Sequence, residues 1–188
     1  MIDKQDIQAA LTALRNGDVI LYPTDTVWGL GCDATSNDAV EKLRKLKGRA
    51  AGKAMLVLVD SVATLERYVE SVPEIAYDLI DSATEPLTVI FDKGKGFADG
   101  VQNADGSIGI RVSSEEFSKE LCRRFGKPII STSANMAGEI TPANFSQISD
   151  NVKNSVAYVV SSGQEDADEH MPSHIIKVSE GGVIKIIR

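Results

Sequence analysis

A chain of 188 residues with 43% hydrophobic residues, 20 Lys and Arg against 27 Asp and Glu, and a net charge of −7 describes one acidic globular domain over 1–188. No apolar run approaches the roughly 18 residues of a membrane span. The charged N-terminus has neither the apolar region nor the small-residue cleavage site of a signal peptide, which points to a cytoplasmic protein with no membrane partner. Cys32 and Cys122 are too few and too far apart for a disulfide framework or a zinc site and read as plain thiols. Net negative charge disfavours generic nucleic-acid binding, so any anion site has to be a local exception.

Ile7, Ala10, Leu11 and Leu14 recur at helical spacing and predict a helix over 4–16, stopped by Gly17. The short apolar block 19–22 predicts a buried strand that ends at Pro23. Ser36 or Asn37 caps a helix running to Lys47, with Val40, Leu43 and Leu46 inward, and 55–59 predicts a second buried strand. Ser61 and Pro73 start two further helices, and strands follow at 87–91 and 108–112. The Gly-, Asp- and Asn-rich stretch 94–106 reads as a long surface loop of the kind that gates substrates. A helix over 115–125, closed by Gly126, leads into a strand from Pro128, and a short helix is expected after Pro142. Strands at 157–161, 173–178 and 183–187 complete the chain, the last two joined through Glu180, Gly181 and Gly182 as a hairpin. The order mixes βα units with antiparallel pairs, an α/β class.

Three segments carry candidate chemistry. Residues 42–53 hold six bases and no acid, a local reversal inside a net acidic chain. Lys42 and Lys45 suit an ordinary solvated helix face. Lys47, Arg49 and Lys53 instead follow the last inward position and sit among small residues, where they could clamp polyphosphate oxygens. The run Ser131, Thr132, Ser133, Ala134 and Asn135 places hydroxyls and an amide at a strand end, where open α/β sheets bind ligands, although such residues also bond back to their own turns. The segment from Tyr22 to Gly31 holds the sole tryptophan, two close-packing glycines, and Thr24 and Asp25 beside a strand end. Trp28 reads equally as core anchor or pocket wall. His170 and His174 have no evident nucleophile partner.

Taken together, YPTDTVWGLGCDA, LKGR at 46–49, PLT at 86–88, IGIRV at 108–112, STSAN at 131–135 and PS at 172–173 occur in one order that resembles the YrdC-like family of threonylcarbamoyl-AMP synthases. The resemblance implies a twisted, open, mixed β-sheet flanked by helices, with a concave basic site. It implies a nucleotidyltransferase that joins L-threonine, bicarbonate or carbon dioxide, and ATP into threonylcarbamoyl-AMP and pyrophosphate. A downstream transferase complex would then deliver the group to adenosine 37 of tRNA. It places Lys47 and Arg49 as the catalytic pair and assigns Lys47, Arg49, Ser133, Asn135, Thr88 and Arg188 to ATP. Thr24 and Ser173 fall to threonine. Magnesium would arrive with ATP, with no metal site of the protein's own. The chain departs from the family where Trp-Pro-Gly is usual (Ala83, Thr84, Glu85), where Lys-Pro-Leu is usual (Lys53, Ala54, Met55), and at Ser113, where proline is usual.

The implied chemistry needs no covalent enzyme intermediate. A carbamate oxygen attacks the α-phosphorus, so the protein has to hold two anions in line and offset their repulsion. Two alternatives use the same residues: a double-stranded RNA-binding module, whose weak RNA binding would fall steeply with salt, or a paralogue acting on another carbamoyl or nucleotide substrate.

Overall fold

A computed structural model describes residues 3–48 and 55–188. Helix α1 (Lys4–Arg15) starts where the Asp3 carboxylate accepts the Gln5 N–H and buries Ile7, Ala10, Leu11 and Leu14; Gly17, at φ +73°, turns the chain out of it. Helix α2 (Asn37–Lys47) is capped by Ser36 and closed by left-handed Gly48. Ser61 caps α3 (Val62–Tyr68), and Pro73 precedes α4 (Glu74–Ser82). Glu115 caps α5 (Glu116–Phe125), which left-handed Gly126 ends. A 3-10 turn at Phe145–Gln147 stands where a short helix was expected, and α6 (Asp150–Asn154), capped by Ser149, is an addition to the expected elements.

The strands are β1 (Ile20–Tyr22), β2 (Gly29–Gly31), β3 (Leu56–Val59), β4 (Leu87–Phe91), β5 (Ile108–Val112), β6 (Ile129–Ser133), β7 (Tyr158–Val159), β8 (His174–Val178) and β9 (Ile184–Ile186). They form one sheet in the order β7-β1-β2-β6-β3-β5-β4-β8-β9, with parallel pairs β1/β7, β3/β5 and β4/β8 and the other neighbours antiparallel. The expected hairpin is β8–β9, where Gly182 at φ +75° donates to the Ser179 carbonyl. Strand β2 escaped the sequence reading because Gly-Leu-Gly has little β preference of its own; its neighbours β1 and β6 hold it in the sheet. Gly31 is required by packing, whereas a Cβ on Gly29 would come no closer than 3.1 Å, to the Ser131 hydroxyl. A Cβ on Gly31 would lie 2.6 Å from the Tyr22 ring and 2.8 Å from the Ile130 carbonyl, because Tyr22 lies across β2 with its hydroxyl donating to that carbonyl.

Residues paired across the ladders share a face. One face carries Val57, Val59, Ile110, Val89, Ile130, Ile176 and Val178, all buried and apolar. The other carries Ile129, Leu58, Arg111 and Thr88 in one row across four neighbouring strands, with Ser131 and Ser133 further along β6. This face therefore turns polar along β6 and, in the row through Leu58, toward β5 and β4, and those polar groups hold the site. Helices α1 and α5 pack on each other, with α1 also on β1 and α5 on β3.

The stretch 94–106 is pinned rather than free-standing. Gln102 donates to the Gly94 and Gly106 carbonyls, Ala98 donates to the Ala34 carbonyl, and Val101 is fully buried.

Asp6 ties the N-terminal helix to the far edge of the sheet. Its carboxylate, 3% exposed, accepts from the Tyr158 hydroxyl, the Ser161 N–H, and both the N–H and hydroxyl of Ser162. Burial pushes its pKa up, but the bonds from Ser162, Tyr158 and Ser161 together hold it below 3.8. The stabilisation from ionised Asp6 is thus present above the unfolded value and lost as pH falls through the lower folded one. Asp6→Ala is expected to cost about 2–3 kcal/mol at pH 7 by stranding several donors. In thermal melts the gap from the wild type should narrow below about pH 4.

Candidate active site

Strand β6 supplies the centre of the site. The hydroxyl run does not follow a strand, as its composition suggested, but lies within β6, so Ser131 and Ser133 share one face and Thr132 points to the other. Asn135, just beyond, does bond back to its own loop, donating to the Met136 and Glu139 carbonyls.

Lys47 is the last helical residue of α2 and is clamped at both ends. Its carbonyl accepts the Ala137 N–H, and its ammonium, on a residue only 6% exposed, donates to the Ser133 carbonyl at 2.7 Å and to Asn135 Oδ1 at 3.4 Å. The expected Lys-x-Arg and Ser-x-Asn pairs thus meet at Lys47, Ser133 and Asn135, which line a depression of about 270 Å³ with Thr132 and residues 136–138. Arg49 and Lys53 lie outside the described residues. Lys42 and Lys45 sit on the outer face and pair with Asp18 and Glu41.

A larger cavity of about 350 Å³ adjoins this depression and shares Thr132 and Ser133 with it. Ser131, Arg111, Thr26, Ser173 and Arg188 supply its polar lining, and Val27, Leu56 and Ile175 are among its apolar walls. Ser173 and Thr88, both buried, join hydroxyl to hydroxyl at 2.8 Å, and the Arg188 guanidinium donates twice to the Ser173 carbonyl. Thr88, Ser173 and Arg188, expected on two different substrates, therefore stand together beside one cavity. The Thr24 hydroxyl serves its own turn, donating to the Val27 carbonyl and accepting the Thr26 N–H. Thr24 lines a smaller cavity of about 200 Å³ with Trp28, Glu115 and His170, whereas Thr26 lines both cavities. Trp28 is a core anchor as well as a wall, 4% exposed and packed at 4.8 Å on Phe145.

Sequence reasoning singled out Asp25 beside a strand end but missed Arg111 and the pairing of the two. Arg111 is 3% and Asp25 5% exposed at the side chain, and Nε faces Oδ1 at 2.9 Å without an aligned hydrogen bond. Arg111 Nη2 lies 3.5 Å from Thr24 Oγ1, the one acceptor for its Nη groups among the described residues. Burial lowers the arginine's pKa and Asp25 opposes the shift; the guanidinium stays charged. A buried cation in the lining of a cavity is a site for an anion. The available signal was a lone charge inside the apolar strand IGIRV, a position that demands a buried partner.

The departure at Ser113 has a structural use. Its N–H donates to the Val59 carbonyl, a bond proline cannot make, and its hydroxyl meets that of Ser118 at 2.7 Å. Both cysteines are buried free thiols, and burial raises the Cys32 thiol to about 12 and lifts Cys122 as well. His170 pairs with Asp166 at 2.9 Å. Among the described residues no helix is long and apolar enough to cross a membrane.

The sequence profile of the Sua5–YciO–YrdC family, described as telomere recombination, matches residues 12–188. The threonylcarbamoyl-AMP synthase of Pseudoalteromonas translucida (strain TAC 125) is 34% identical over 163 residues, covering 85% of this chain and 87% of that protein. The E. coli YciO structure superposes with a TM-score of 0.84 at 23% identity over all of this chain and 90% of that one. P. abyssi Sua5 complexed with L-threonine superposes at 0.88 and 23% identity, and this chain spans just over half of it, 55%. Those two structures share the fold, and with the profile match and the 34% relative the assignment follows: this chain belongs to the Sua5–YciO–YrdC family.

Proposed function

We propose that this chain is a threonylcarbamoyl-AMP synthase, working as a single domain on L-threonine, bicarbonate or carbon dioxide, and ATP. The observation that carries the reading is a pair of buried cations, Lys47 and Arg111, beside two adjoining cavities divided by Thr132 and Ser133 of β6. A reaction between two anions needs two such cations, each desolvated enough to act at full strength. The name and length of the 34% relative support it further.

In this reading Arg111 anchors the threonine carboxylate, and Ser173, Thr26 and Ser131 surround the amino-acid end; Thr24 acts by shaping the turn. Val27 and Leu56 offer apolar contact to the side-chain methyl. The α-amine, as its carbamate, is directed past Ser133 toward Lys47 and Asn135 on the ATP side, a role the family resemblance gives to Arg49 as well; Thr88 and Arg188, also assigned to ATP by that resemblance, stand instead with Ser173 at the larger cavity. Magnesium comes as part of the MgATP substrate. The carbamate oxygen bonds to the α-phosphorus, the bond from α-phosphorus to the bridging oxygen breaks, and pyrophosphate leaves with that electron pair. The protein contributes alignment and charge, with no covalent intermediate. The product then passes to the transferase acting on adenosine 37 of tRNA.

Incubating the protein with MgATP, L-threonine and labelled bicarbonate is expected to release pyrophosphate and yield a labelled threonylcarbamoyl-AMP mass. Pyrophosphate release that ignores threonine would refute the reading.

A further inference from the structure

The guanidinium of Arg111 is useful to a carboxylate only if its Nη edge is fixed in direction, and the strand does not fix it. Ladder partners on both sides, Leu58 and Thr88, hold the backbone, while the long side chain retains its own rotamers. What meets its far end is Asp25, across 86 positions of sequence, with Oδ1 2.9 Å from Nε. Asp25 is held in turn: its Oδ2 accepts the Ser114 N–H at 3.2 Å and the Ser114 hydroxyl at 3.3 Å. Ser114 directly precedes Glu115, whose carboxylate caps α5 through the Phe117 and Ser118 N–H groups. A continuous line of contacts therefore runs from the start of α5 through Ser114 and Asp25 to the cavity.

We propose that Asp25 is the positioning residue for Arg111: by meeting Nε with one oxygen and Ser114 with the other, it turns the Nη edge of the guanidinium toward the amino-acid cavity. The proposal rests on Arg111 being the carboxylate anchor. Asp25 could instead act merely as a counter-charge, and the two roles differ in sign. A neutralising Asp25 weakens the pull of Arg111 on an anion, so its removal would tighten threonine binding. A positioning Asp25 preorganises that pull, so its removal weakens binding.

The carboxylate is chemically specific here. It has two acceptor atoms and two sets of donors to satisfy, whereas a carboxamide has one acceptor. In Asp25→Asn either Ser114 or Arg111 Nε meets an NH2 group, whichever way the amide lies. Asp25→Glu keeps the charge and moves it by one methylene.

The experiment is steady-state kinetics of pyrophosphate release with threonine and ATP varied separately. Asp25→Asn and Asp25→Glu are both expected to raise the KM for threonine about tenfold, since displacing a reactant anchor by about 1 Å costs one to two orders of magnitude. The kcat should stay within about threefold and the ATP KM should not move, a split that general loosening of the fold would not produce. Introduced into Arg111→Lys, Asp25→Asn should add less than about twofold, because the fork it aimed is gone. A folded Asp25→Asn or Asp25→Glu with an unchanged or lower threonine KM would overturn the proposal. So would a tenfold effect that persists undiminished in Arg111→Lys. If Arg111→Lys itself leaves the threonine KM unchanged, it is the anchor reading of Arg111 that fails. Should Asp25→Asn not fold, the charge-retaining Glu variant decides alone.

Discussion

Replacing Lys47 by alanine is expected to lower kcat for threonine-dependent pyrophosphate release by about 10²–10³-fold, the usual cost of deleting one preorganised charge from a site where negative charge accumulates. Lys47 closes α2, its carbonyl is tied to Ala137, and its ammonium is held by the Ser133 carbonyl and Asn135. Such a cation is already desolvated and aimed before substrate arrives, so little reorganisation is needed at the moment of reaction. Lys47→Arg keeps the charge but requires space for a planar fork at a 6% exposed position, and it should recover only part of the rate. Initial rates at saturating threonine and bicarbonate, with ATP titrated, measure the effect. An alanine variant within twofold of the wild type would remove Lys47 from the mechanism.

Arg111→Met should be more damaging still, because it acts on both activity and stability. Removing one partner of a buried ion pair leaves Asp25 charged and unpaired at 5% exposure, which costs about 3–5 kcal/mol. The same substitution removes the anion contact, for which a loss of about 2–5 kcal/mol is typical, or roughly 30-fold to 4,000-fold in kcat/KM for threonine. Calorimetry and kinetics separate the two effects. Arg111→Lys keeps a charge near Asp25, so it should restore most of the melting temperature while leaving threonine binding weakened. A methionine variant that melts with the wild type would mean Asp25 is relieved by another group.

Much of the framework was legible in the chain itself. Ser36 and Ser61 cap helices through local side-chain bonds, and Gly17 and Gly126 adopt the left-handed conformation expected where helices stop. Strands β4 and β5 coincide with the apolar runs at 87–91 and 108–112. These features depend on residues within a few positions of one another. Strand β2 was not legible, because Gly-Leu-Gly has little β preference and Gly31 is required by the Tyr22 ring and the Ile130 carbonyl, the latter 99 positions away.

The starting figure, a net charge of −7, remains a property of the whole surface and says nothing of where single cations are buried. The sequence by itself determined helices α1 to α5, most of the strands, the basic end of α2 and the hydroxyl run that follows Ile130. Only the tertiary structure decided that β6 carries those hydroxyls inside the sheet, that Thr88 meets Ser173 across 85 positions, and that Arg111 is held by Asp25. The physical reason is range. Caps and apolar periodicity act over one or two turns of chain, whereas a buried charge finds its partner wherever the folded sheet brings one within about 3 Å.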